Sequence, residues 1–171
     1  VAAVLTAPIA VAAIVLGIAG VAKLRSPSAA KRALAAAGVS VPEGAVRTLA
    51  SGELALATLV LLAPGRAASG LLAAIYVLLA LVARTLARRE AACGCFGAED
   101  APTTAAHVWL SLALALVAVA GVAAAPHGIA WLLTGPPGVI GPLALGIAGA
   151  AYATVLAYTE LPAAWSAWRP R

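Results

Sequence analysis

The sequence predicts an all-α integral membrane protein, a bundle of about five transmembrane helices made of a four-helix core plus one further span. Three observations predict it. Of the 171 residues, 64% are hydrophobic and 10% are charged, where a soluble domain is nearer half apolar and a quarter charged. The mean hydropathy of +1.04 reflects more apolar surface than a water-soluble core of this length needs. The apolar residues also fall into five runs of about 20 residues, the length that crosses a bilayer as a helix.

The first run, Ala2 to Ala22, is interrupted only by Thr6 and Pro8. No basic region precedes it and basic residues follow, so it reads as a retained span rather than a signal peptide. The absence of methionine, even an initiator, implies a trimmed N-terminus. Lys23 to Ala45 is too polar to span. Within it, Ser28 to Ala37 suits a short interfacial helix stopped by Gly38 and Pro42.

The second run, about Val46 to Ala63, carries Glu53 in its second turn, and Pro64-Gly65-Arg66 turns the chain into the third, about Ala67 to Ala87. So short a turn predicts a tight antiparallel hairpin of these two spans. The fourth run covers about Thr104 to Ala125 and the fifth about Val139 to Thr159. Between them His127 to Gly138, with Trp131 and Pro136-Pro137, reads as an interfacial connection. Trp109, Trp131, Trp165 and Trp168 lie near span ends, as an aromatic belt requires. Gly17 and Gly20 in the first span, and Gly141, Gly146 and Gly149 in the fifth, permit close helix approach. A chain this rich in alanine and glycine also produces such spacings by chance. No second domain is visible: residues 1–171 form one transmembrane domain, with a core over 1–125 and a connection and last span over 126–171.

The net charge of +5 does not point to nucleic acid, because the basic residues sit beside apolar spans, where they anchor to lipid headgroups. Alternation of five spans puts Lys23, Arg25, Lys31, Arg32, Arg47, Arg84, Arg88, Arg89, Arg169 and Arg171 on one side and Arg66 alone on the other. The positive-inside rule then places the N-terminus outside and the C-terminus inside.

Cys93-Gly94-Cys95 holds the only two cysteines. A disulfide needs Cα atoms roughly 4.4–6.8 Å apart, which an i,i+2 pair meets only in a bent conformation that the glycine permits. Such a ring is strained and therefore more oxidising, closer to a donor of disulfides than to a staple. The other readings are a metal clip, for which Cys93, Cys95 and His107 supply three ligands at most, palmitoylation, and an inert pair. With two cysteines an internal two-pair relay is excluded, so electrons pass directly between this pair and an outside partner or small molecule.

Span parity brings Lys23, Glu53, Cys93, Cys95 and His107 to one depth zone. Arg88, Arg89, Lys23 or a protonated His107 would lower a thiol pKa there. Glu53 is costly inside a span, about 2.5–3.5 kcal/mol for a mid-bilayer charge, which a salt bridge to Lys23 or Arg47 offsets. A proton-handling role beside the thiols is the functional reading. His107 is an interfacial anchor or a catalytic base. Phe96-Gly97 supplies an aromatic anchor and a turn before Glu99-Asp100.

Gly20-Val-Ala-Lys23-Leu-Arg-Ser-Pro27, Gly52-Glu53-Leu-Ala and Cys93-Gly-Cys-Phe-Gly97 together resemble the MauE/DoxX family of redox-associated bacterial membrane proteins. The resemblance covers roughly residues 1 to 125. It implies a small helical bundle in the bacterial inner membrane that supports disulfide formation, partnered by a thioredoxin-like protein or an exported thiol protein. Cys93 and Cys95 would be the redox pair, with Lys23 and Glu53 the recurring polar positions. The chain departs from the family where members often carry an Arg-Asn pair, having His107-Val-Trp109-Leu-Ser111 instead. The expected function is therefore a membrane thiol–disulfide oxidoreductase. The alternatives are a non-catalytic scaffold that docks a redox partner and a small-molecule transporter subunit. A quinone is a possible cofactor in so apolar a bundle, though no residue pattern demands one, and no metal is expected. Disulfide formation for exported proteins belongs outside the cytoplasm, whereas the charge count puts the thiols inside.

Overall fold

The computed structural model describes residues 2–96, 103–132, 134–161 and 164, and among them it has seven helices and no strand. In chain order these are α1 (Ala2–Arg25), α2 (Pro27–Ala36), α3 (Glu43–Leu62), α4 (Arg66–Arg88), α5 (Ala105–Ala124), α6 (Ile129–Leu132) and α7 (Pro137–Thr159). Helices α1, α3, α4, α5 and α7 are long and apolar enough to cross a membrane, so the five expected spans are present. Several run one to three residues beyond the apolar stretches, taking in Lys23, Arg25, Glu43, Arg66 and Arg88. Long charged side chains at a helix end reach the headgroups from within the last turn, so the charge does not end the helix. Because α3 starts early, Glu53 lies in its middle rather than its second turn.

Helix α1 is central, touching α2, α3, α5 and α7. The expected hairpin of the second and third spans has its short connection, yet α3 packs chiefly on α1, and α4 on α5. Glycines explain the first choice. A Cβ on Gly20 would stand 3.0 Å from the Ala50 carbonyl oxygen, and one on Gly17 would stand 3.4 Å from the Ala57 Cβ. The two backbones approach closely because nothing lies between them, which is what holds helices together where lipid gives no hydrophobic drive. The glycines of the fifth span behave differently: a Cβ on Gly141, Gly146 or Gly149 meets nothing within 4 Å. Helix α7 is the peripheral fifth member, with 11% of its apolar window buried against 56% for α1.

The core gathers Leu16, Leu56, Val60, Leu72 and Leu114 at the middle of the four-helix unit. Tyr76 of α4 reaches across it and donates its hydroxyl to the Ala12 carbonyl of α1 at 2.6 Å. Outward-facing Leu59, Leu71, Leu78, Leu81, Leu116 and Leu145 are exposed, as side chains meeting lipid tails should be. Trp109 and Trp131 are exposed near helix ends, while Trp165, Trp168, Arg169 and Arg171 lie outside the described residues. The His127 ring stacks on Trp131 at 4.9 Å in the connection around α6.

The expected interfacial helix is α2. It buries Pro27, Ala29, Ala30 and Ala33 and exposes Lys31 and Arg32. Gly38 (φ +95°) ends it, and Val39 N–H returns to the Leu34 carbonyl at 2.8 Å.

Two outcomes follow for the folded bundle. Gly20→Leu forces α3 away from α1 and costs about 1–3 kcal/mol of overpacking strain, whereas Gly149→Leu leaves the thermal midpoint in detergent unchanged. Accessibility labels placed in the 38–42 loop and at the 63–65 turn react from opposite sides of a sealed vesicle, the former from the cytoplasmic side.

Candidate functional site: a dithiol cavity at one end of the bundle

The chain leaves α4 through Glu90 (φ +52°), and the Thr103 N–H donates to the Ala91 carbonyl at 2.9 Å, closing the base of a loop before α5. Cys93-Gly94-Cys95-Phe96 lies in this loop. Gly94 has φ +62°, and a Cβ there would fall 2.7 Å from the Ala29 carbonyl oxygen of α2. Glycine is therefore required twice, once for the left-handed backbone and once for the close seat on α2. That seat explains why a short amphipathic helix is packed under the loop.

Both cysteines are free and partly buried, with Sγ atoms 2.7 Å apart and the Cys93 thiol donating to Cys95. They line a nearly filled cavity of about 20 Å³, room for about one water. Its polar walls come from Lys23 of α1, Tyr76 of α4, His107 and Ser111 of α5 and Tyr158 of α7, with Phe96 beside the thiols.

Lys23 and Glu53 form a two-pronged ion pair, Nζ to Oε2 at 2.6 Å and to Oε1 at 2.8 Å, with side chains 5% and 2% exposed. The pair ties α1 to α3 and sets a fixed cation at the cavity. The hydrogen bond from Cys93 pulls the Cys95 thiol below its ordinary range, and the Lys23 charge adds to this against the opposition of burial and of Glu53. The same hydrogen bond, then burial, pushes the Cys93 thiol well up. The shared hydrogen bond thus acts on the two thiols in opposite directions.

His107 caps its own helix: its Nδ1 accepts the Thr104 N–H at 3.2 Å, while the Thr104 side chain takes the His107 N–H. A nitrogen that accepts from a backbone N–H is unprotonated, so the neutral ring carries its proton on Nε2. The arginines named from sequence are elsewhere. Arg89 donates to the Ala36 carbonyl at the end of α2, and Arg88 lies with Arg84 beside Leu81 and Thr85. Neither lines the cavity, so the cation beside the thiols is Lys23. Among the described residues no three His, Cys, Asp or Glu side chains converge as metal ligands. Gly97, Glu99 and Asp100 lie outside the described residues.

Sequence reasoning did not single out Tyr76, Ser111 and Tyr158 as parts of the site. Ser111 Oγ and the Tyr158 hydroxyl are 2.9 Å apart, and the Tyr158 ring stands 5.4 Å from Phe96 and 5.7 Å from His107. A usable signal existed: a phenol inside an apolar run must find a polar partner, and that partner lies at a helix interface.

The fold and this cavity define a multi-pass helical membrane protein with one paired-thiol loop. A family model described as "Methylamine utilisation protein MauE" matches residues 1–126, and the chain belongs to that family. The DoxX part of the resemblance and its redox role lie outside that match. Comparison with curated proteins and with solved structures finds no match.

The electrostatics predict opposite effects from the two halves of the ion pair. Lys23→Met raises the Cys95 pKa and slows its alkylation at pH 7 several-fold, whereas Glu53→Gln lowers that pKa and quickens the reaction. Alkylation rates measured against pH check both signs. Each single change also leaves a buried partner alone and costs about 3–5 kcal/mol of stability, most of which the double change Lys23→Met with Glu53→Met restores.

Proposed function

We propose that this protein is a thiol–disulfide oxidoreductase of the bacterial inner membrane whose working groups are Cys93 and Cys95. The observation that carries the reading is the pair itself: two free thiols 2.7 Å apart, held by a glycine at a left-handed position where a Cβ would crowd the backbone of α2. A separation so near the disulfide length of about 2.05 Å means that closure asks for little movement. The nearby fixed cation favours the thiolate form that exchange requires.

In the direction that delivers a disulfide, a partner thiolate attacks the Cys93–Cys95 bond and the partner's second thiol resolves the mixed disulfide. The partner gains an S–S bond, and two electrons and two protons end on Cys93 and Cys95. In the reverse direction the Cys95 thiolate attacks a partner disulfide, and Cys93 then displaces the partner by attacking the Cys95 sulfur. The raised Cys93 thiol delays that second attack until the mixed disulfide has replaced the thiolate beside it.

Such a partner is a thioredoxin-like protein or an exported thiol protein. Alternation of the five spans assigns ten of the eleven basic residues to the cysteine side, which favours a partner at the cytoplasmic face. An exported partner requires the opposite orientation.

Equilibrating the purified protein in glutathione buffers and trapping free thiols tests the proposal. The expected result is a reversible dithiol–disulfide transition at a potential above about −300 mV. A pair that stays reduced throughout, or a bridge that resists reduction below that value, removes the exchange function and leaves a scaffold.

A further inference from the structure

The family match ends at residue 126, yet one wall of the thiol cavity comes from residue 158. Tyr158 is 7% exposed on a helix that is otherwise barely embedded. Its hydroxyl meets Ser111 of α5, and its ring lies in tilted contact with Phe96. Phe96 directly follows Cys95.

The thiol loop has three described anchors. Its base is closed by the bond from Thr103 to Ala91, its glycine is seated against Ala29, and its aromatic residue rests on Tyr158. The first two position Cys93 and the backbone between the thiols. The third acts on the residue next to Cys95. We infer that Tyr158 is a positioning residue for the thiol pair, holding Cys95 within bonding distance of Cys93 by way of Phe96. The inference rests on the thiol-exchange reading and adds to it a residue outside the matched family region.

The physical argument is one of effective concentration. Two thiols on a short flexible loop meet only in a fraction of its conformations, and each fixed neighbour raises that fraction. Aromatic rings prefer tilted or edge contacts with centroids about 4.5–7 Å apart, and the Phe96–Tyr158 distance of 5.4 Å lies in that range. The bond to Ser111 fixes the Tyr158 ring, so the hydroxyl acts at one remove and the ring acts directly.

The test uses the full-length protein and glutathione disulfide. Cys95 first forms a mixed disulfide, releasing one glutathione. Cys93 then closes the Cys93–Cys95 bond and releases a second, so two electrons and two protons pass to glutathione. The ratio of closed disulfide to mixed disulfide at fixed glutathione, read by mass spectrometry, reports the effective concentration of one thiol at the other. Tyr158→Ala should lower that ratio about tenfold, and Tyr158→Phe and Ser111→Ala by no more than about threefold. Tyr158→Leu, which keeps apolar volume but not the ring contact, should follow Tyr158→Ala and decides the matter if the alanine variant fails to fold.

A purely packing role for Tyr158 would lower the melting temperature and leave the ratio of the folded protein untouched. A wild-type ratio in a folded Tyr158→Leu variant overturns the inference while leaving the exchange function standing. If the wild-type pair never closes, the exchange function falls first and the inference with it.

Discussion

A lysine and a glutamate buried together inside a bundle of hydrocarbon are the constraint on which the rest depends. Either charge alone would cost several kcal/mol to keep away from water, and the two are tolerable only in direct contact. Lys23 sits in the last turn of α1 and Glu53 in the middle of α3, so their contact sets how far one helix is slid along the other. Gly17 and Gly20 set how close the two helices come. Register and distance between α1 and α3 thus have separate causes on one interface. Helices α5 and α7 pack on the remaining faces of α1.

The same ion pair gives the thiol loop its electrical environment. An unpaired lysine would stabilise a thiolate more strongly, at the cost of a buried charge with no partner. Paired with Glu53 it is buried in direct contact with its counter-charge, and its field at the sulfurs is partly cancelled. The larger bias between the cysteines is local: a hydrogen bond from one to the other lowers Cys95 and raises Cys93. A site built this way distinguishes its two sulfurs without a catalytic base. This agrees with the observation that His107 uses Nδ1 to cap its helix.

The spans were legible in sequence because hydrocarbon thickness imposes a length, and the runs from Ala2, Val46, Ala67, Thr104 and Val139 obey it. The approach of Lys23 and Glu53 to the thiols was legible from span parity, since buried charges must find each other. Helix partners were not legible. Whether α3 lies on α1 or on α4 depends on which faces carry small residues, and an alanine-rich chain presents small residues on every face. The same ambiguity made Gly141, Gly146 and Gly149 look like Gly17 and Gly20, although only the latter two meet a neighbouring backbone. Arg88 and Arg89 are adjacent to the loop in sequence, yet a helix end fans its side chains outward, and Arg89 is taken by the end of α2. Charge near in sequence was a poor guide to field; charge facing inward from another helix was a better one.

The Cys-Gly-Cys string makes sense only with the surfaces on either side of it. Gly94 touches the backbone of α2, so any side chain there would push the loop off its platform and swing both thiols away. Phe96 touches a ring on α7, the span with the smallest buried share. One side of the loop is therefore fixed by a rigid amphipathic helix within the matched family region, and the other by the most loosely embedded span, outside it. The last span thus reaches, through Tyr158, a site whose cysteines lie in the loop between the third and fourth spans.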